Sequence, residues 1–249
     1  MKNSDSRRLL SAAFAVAGIV LLTGCASGSL FNKYYDQGLE AMRGSNFDQA
    51  QNLFSLAEKQ ALKMEPGDTH RIDVWSRLAV CSAKLNDMHS ADEYMTKARK
   101  DREHNPKSDP KVLVEAMNEV AGLKDGFYTH KNGLQLRRSA IDIQNSFSGK
   151  DGKETLALAK EYAQTCLKWG DVKEAESMCR KILLLEEKKY GKESPELSST
   201  LEQYSAVLSR AKKKSEAEKI KARLKSLQIK VASGADGKPL QASSSEVKW

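Results

Sequence analysis

The side chains with the strongest intrinsic reactivity in this sequence are four cysteines and four histidines. Cys25, Cys81, Cys166 and Cys179 contain no CxxC pair. Their spacing does not suit zinc, whose structural sites draw on ligands grouped a few residues apart. His70, His89, His104 and His130 are widely separated, and none lies in an HExxH or beside a plausible nucleophile. They read as surface histidines. A GxSxG, a phosphate-binding loop, a GxGxxG and a supported pair of carboxylates are all missing from the sequence. On these grounds no catalytic residue, metal site, cofactor or small-molecule substrate is expected.

Cys25 differs from the other three by its position. Lys2, Arg7 and Arg8 precede an apolar run at residues 9–22, LLSAAFAVAGIVLL. Fourteen residues are too few to span a bilayer, which takes about 17–25, and suit the core of a signal peptide. The run ends in Leu22-Thr23-Gly24-Cys25, which resembles the bacterial lipobox. That resemblance implies cleavage after residue 24 and diacylation of the Cys25 thiol, with the new amine usually acylated too. Two or more acyl chains give stable anchoring. Ala26, a residue other than aspartate, resembles the outer-membrane sorting pattern of Gram-negative lipoproteins. The expected location is therefore exported and lipid-anchored, at the outer membrane if the host is Gram-negative.

The elements that follow come from a repeat. Ala50, Ala91, Gly133, Ala175 and Ala217 stand 41, 42, 42 and 42 residues apart. Each follows an i, i+3, i+4, i+7 stripe: Tyr34, Gln37, Gly38, Ala41, then Trp75, Leu78, Ala79, Ser82, then Met117, Val120, Ala121, Lys124. Ala159, Tyr162, Ala163, Cys166 and Leu201, Tyr204, Ser205, Leu208 continue the series. Such a stripe is one face of an α-helix. A small residue on each helix of a pair lets the two backbones approach, with larger residues filling the ridges beside them. Turn residues at Pro66-Gly67-Asp68, Pro106 to Pro110, Gly149 to Gly152 and Gly191 to Pro195 fall between the repeats. Asp109 and Ser194, each before a proline, read as helix N-caps.

This pattern resembles the tetratricopeptide repeat, in the 42-residue spacing of the kinesin light-chain variety. The resemblance implies an all-α fold, a TPR-type α-solenoid forming a right-handed superhelix of about five helix hairpins. It covers residues 31–230, with repeats near 31–64, 72–105, 114–147, 156–189 and 198–230. Residues 1–24 would be the signal peptide, 25–30 a lipidated linker and 231–249 a disordered tail. Repeat three departs from the pattern with Arg137 and repeat five with Lys221, where an apolar residue is expected. Repeat five would be the polar terminal cap that a repeat array needs.

In tetratricopeptide proteins the first helices line a concave face that binds peptides or helices. Carried over by register, that groove would present Tyr35, Leu39, Arg43, Ser76, Val80, Lys84, Lys160, Gln164, Lys168 and Arg210. Arg43, Lys84, Gly126, Lys168 and Arg210 form a row that is basic in four of five positions. It could receive acidic partner segments, or it could simply complement the helix dipoles at the C-terminal ends of the first helices. The carboxylate clamp of chaperone-binding members is not reproduced. Cys166 and Cys179 take facing positions in repeat four; they could form a disulfide in an oxidising compartment or serve as small buried apolar residues.

The formal charge is +8, and +6 after removal of residues 1–24. Residues 210–230 hold nine basic residues against Glu216 and Glu218, so the excess sits on one C-terminal segment rather than forming a global nucleic-acid footprint. It reads as a capping helix with a solvated face or as a contact with anionic lipid. The function expected from all this is a membrane-anchored, non-catalytic scaffold that holds protein partners in the bacterial envelope, similar in plan to lipoproteins that assist outer-membrane-protein or pilus secretin assembly. The alternatives are an envelope enzyme or activator with a site near repeat three, which predicts converging polar groups around residues 124–137, and a passive structural lipoprotein.

Overall fold

In four of the hairpins the chain turns back on the same backbone device. Asn46, Asp87, Asp171 and Lys213 donate their N–H groups to the carbonyls of Ala41, Ser82, Cys166 and Leu208, at 2.8–3.0 Å. The residue before each of them, Ser45, Asn86, Gly170 and Lys212, has a positive φ of 57°, 66°, 83° and 61°. This closes the first helix and satisfies carbonyls that its last turn leaves open. The same Asn46, Asp87 and Asp171 then accept a hydrogen bond from the backbone N–H three residues on, capping the second helix. One four-residue punctuation mark thus ends one helix and starts the next.

The computed structural model describes residues 28–125 and 130–233. These residues form ten α-helices and no strand: α1 (28–43), α2 (Phe47–Ala61), α3 (Thr69–Lys84), α4 (Met88–Arg102), α5 (Lys111–Asp125), α6 (His130–Ser148), α7 (Lys153–Lys168), α8 (Val172–Tyr190), α9 (Ser198–Arg210) and α10 (Lys214–Ser233). The fold class is the one read from the sequence, an all-α TPR-type solenoid of helix hairpins. The small residues that mark the repeat sit where the helices meet. Ala50, Ala79, Ala91, Ala121, Ala163 and Ala175 are fully buried. A Cβ added to Gly38 would lie 2.6 Å from the Phe54 ring, so that position has room for glycine alone.

The chain divides into two compact units, meeting within α6 between Ile143 and Gln144. In the first, α3 packs on α2, α4 and α5, and ten of its 16 residues are buried. In the second, α7 packs on α8, α8 on α9, and α9 on α10. Here α10 lays Ala217 and Leu227 inward, while Arg223 pairs with Glu187 at 2.5 Å and Lys213 with Glu176 at 2.6 Å. Part of the basic C-terminal segment is therefore spent on α8 carboxylates. Lys221, the departure in repeat five, is exposed and pairs with Glu218.

Three boundaries differ from the sequence reading. α1 begins at residue 28, inside the expected linker, and α10 runs to Ser233, past the expected start of the tail at 231. Ser194 gives no backbone cap: its hydroxyl goes to Glu196, and Pro195 opens a short 3-10 turn before α9 instead. Asp109 caps as expected, accepting from Lys111 N at 3.0 Å. The remaining terminal residues, with Cys25 and the rest of the tail, lie outside the described residues.

Candidate functional site

The first-helix face of the first unit is less available than its sequence register implies. Tyr35 packs between Phe31 and Phe54, with ring centroids 5.2 and 5.5 Å away. Burial raises the pKa of its hydroxyl, opposed by a hydrogen bond with Arg77. Leu39 is half-buried, and Arg43 is exposed and paired with Glu40. Ser76 and Val80 correct the expected groove: both are 0% exposed. The Ser76 hydroxyl donates to the Ile72 carbonyl at 2.7 Å. The cause is the three-sided packing of α3, which widens its buried stripe beyond what two neighbours would cover. Lys84 pairs with Glu119 at 3.0 Å and lies over the Phe47 ring.

Asp73 and Arg77 occupy the rest of that face. Burial pushes the Asp73 carboxyl up to about 6, against the neighbouring charges of Arg77 and His70, which lower it.

In the second unit Lys160 pairs with Glu186 at 2.8 Å, and its carbonyl accepts from Gln203 at 2.8 Å. Glu186 is buried and also accepts from Thr200 Oγ1 at 2.5 Å. Lys160 thus ties α7 to α8 and α9. Gln164, Lys168 and Arg210 are exposed, Lys168 lying over the Trp169 ring. Gly126 of the basic row lies outside the described residues.

Cys81, Cys166 and Cys179 are buried and in the thiol form, with no disulfide among the described residues. Burial pushes Cys81 up to about 12; burial and the neighbouring Cys166 do the same to Cys179. Thiols held so far from ionisation are poor nucleophiles at neutral pH.

A concavity lies elsewhere in the first unit, between the second helices α4 and α6. A cavity of about 590 Å³ is lined by residues including Asp92, Met95, Arg99, Lys124, Asn132, Gln135 and Asp142. A second, of about 440 Å³, continues towards Glu103 and Pro106 and shares Thr96, Arg99, Ser139 and Asp142 with the first. The two make one trough.

Its setting is repeat three. Arg137, the residue that departs from the repeat, is buried and pairs with Asp125 at 2.9 Å, and the buried Lys124 reaches Asp92 at 2.7 Å. A Cβ at Gly133 would meet Asp125 Oδ1 at 2.6 Å and the Ala121 carbonyl at 2.9 Å. The alternative with converging polar groups around residues 124–137 places one wall of this trough, Lys124, Asn132 and Gln135; the α4 wall is not marked in the sequence, because its polar residues follow no apolar stripe. The one signal for the trough was a charged residue at a core position of the repeat.

Comparison with known proteins gives the fold alone. No family model matches the chain, and no curated protein matches it significantly. Among solved structures, a Podosopora anserina putative kinesin light chain with nearly identical TPR-like repeats aligns over 82% of this chain and 97% of its own, at 14% identity and a TM-score of 0.57. BtubC (BKLC) from P. vanneervenii aligns over 92% of both chains, at 18% identity and a TM-score of 0.58.

Proposed function

We propose that this chain is a membrane-anchored, non-catalytic scaffold that holds protein partners in a bacterial cell envelope. The observation that carries it is the fold: stacked helix hairpins offer long side surfaces and need each other to bury their cores, an architecture suited to binding. This step is an analogy with the fold. The anchor rests on residues 9–25, the apolar run and Leu22-Thr23-Gly24-Cys25. Among the described residues no helix is long and apolar enough to cross a membrane, so attachment falls to that segment.

The deciding experiment expresses the chain with a C-terminal tag in its host and crosslinks intact cells, with Cys25→Ala as control. A discrete envelope partner from the membrane fraction, lost with Cys25→Ala, is the expected result. A chain that stays in the membrane and recovers no partner contradicts the scaffold and favours the passive lipoprotein.

One observation favours the enzyme or activator reading: polar side chains at 124–138 do converge on a trough. Its chemistry argues for binding instead. The lining holds no histidine or cysteine, Asp92 is engaged by Lys124, and the Ser139 hydroxyl donates to the Gln135 carbonyl at 3.1 Å. A nucleophile needs an adjacent base to be activated, and Ser139 is committed to its own helix.

A further inference from the structure

We infer that the α4–α6 trough of the first unit is the seat of an extended peptide segment of the partner, with a carboxylate side chain of that segment held by Arg99. The inference rests on the scaffold reading and moves its contact from the first helices to the second ones.

Arg99 stands at the waist where the two cavities join. No hydrogen bond or ion pair to its guanidinium exists among the described residues, and the group lines both cavities. The dipole of α4 accounts for a cation in its last turn. It supplies no hydrogen-bond acceptor to the guanidinium. A carboxylate matches a guanidinium fork in charge and in geometry.

The surroundings fit the same occupant. Five basic and three acidic side chains line the trough; with the Lys124–Asp92 pair set aside, four basic side chains remain against two acidic ones. Asn132 and Gln135 each offer an amide donor and acceptor that no described residue uses, the pair of groups a peptide backbone needs. From Asp92 to Glu103 the α4 wall runs roughly 16 Å at 1.5 Å per residue. That length takes about five residues of extended chain, more than a compact metabolite would fill. Met95 and Leu136 give it an apolar floor.

The test uses the full chain purified from membranes in detergent and immobilised. The probes are pools of synthetic decapeptides, random except for one fixed central Asp, Glu, Lys or Gln, with retained peptide quantified by mass spectrometry. The Asp and Glu pools should be retained about tenfold over the Lys pool, the ratio expected of one charge-assisted pair worth about 1.4 kcal/mol. Arg99→Gln should bring the pools within about twofold of each other. Ser139→Trp should lower retention of every pool by filling the trough, while Gln164→Trp on α7 changes nothing; circular dichroism checks each variant, and Thr96→Lys replaces Ser139→Trp should that one not fold.

Equal retention of all pools, or an acid preference that survives Arg99→Gln, overturns the inference. So does a small carboxylate that co-purifies with the chain and is lost with Arg99→Gln, which would make the trough a metabolite site. If a partner crosslinks in cells while no pool binds, the trough falls and the scaffold reading stands.

Discussion

Repeats two and three occupy the same register and solve their interiors differently. In repeat two the second helix drives Met95 into the core beside Ala91 and Ala98, all essentially inaccessible. In repeat three the residue at the Met95 position is Arg137, and the residue at the Ser82 position is Lys124. Both are buried: Arg137 pairs with Asp125, itself nearly buried, and Lys124 with the exposed Asp92. Apolar contacts are non-directional and tolerate repacking, whereas a buried ion pair fixes its geometry and gains little net stability after desolvation. Asp125 Oδ1 and Arg137 Nε remain without hydrogen-bond partners. Repeat three thus gives up core stability where the trough opens, and its polar interior and polar binding walls are one local departure from the repeat.

The largest expected effect separates the two interiors. Arg137→Ala should cost about 3–5 kcal/mol, because it strands Asp125 in the core. Met95→Ala should cost about 2–5 kcal/mol as an ordinary cavity. Arg137→Met combined with Asp125→Leu should cost almost nothing, or stabilise by about 1–4 kcal/mol. Denaturant midpoints at one pH decide it. A double variant as unstable as Arg137→Ala would break the comparison, showing that the ionic interior is the better packed one.

Glycine positions sharpen it at a smaller scale. Gly133→Ala should destabilise by about 1–3 kcal/mol, since its Cβ has no space between Asp125 and the Ala121 carbonyl. A Cβ added to Gly122, exposed within α5, would lie 3.6 Å from Arg137 Nη2, an ordinary contact. Gly122→Ala should stabilise by roughly 0.5–1 kcal/mol through helix propensity. Equal effects would show that the close approach of α5 and α6 is not real.

The smallest effect concerns the one acid of repeat two that burial disfavours. Asp73 titrates at about 6 in the fold against 3.8 for a free aspartate. A raised folded pKa means stability that is complete below 3.8 and lost as the pH rises through 6. Asp73→Asn should therefore be the more stable protein at pH 7, with the difference shrinking towards pH 4. Paired unfolding midpoints from pH 4 to 7 check this, and a constant difference would contradict it.

Much of this architecture was legible in the sequence, because the repeat obeys sterics that a single chain displays. Small residues every 41–42 positions mark the helix crossings; the Asn46, Asp87 and Asp171 caps emerge only in the structure. The interaction face was less legible. Register places Ser76 and Val80 on the first-helix groove, but exposure depends on how many neighbours α3 has, and it has three. Lys84 of the basic row and Lys160 of the groove read as cations facing a partner, yet they meet acids 35 and 26 residues away in sequence, Glu119 and Glu186, that no local pattern connects to them. The trough is a tertiary product of the same kind. Arg137 showed that repeat three was different; only packing shows that the difference leaves an opening.

The scaffold claim is tested most directly by a photocrosslinking scan in living cells. Benzoylphenylalanine is placed one site at a time at Thr96 and Ser139 in the trough, at Leu39 on the first-helix face of the first unit, and at Gln164 on that of the second. One discrete protein adduct is expected, strongest at Thr96 and Ser139 and weak or missing at Leu39 and Gln164. An adduct confined to Leu39 or Gln164 would return the partner to the first helices, and no adduct at any of the four positions would contradict the scaffold itself.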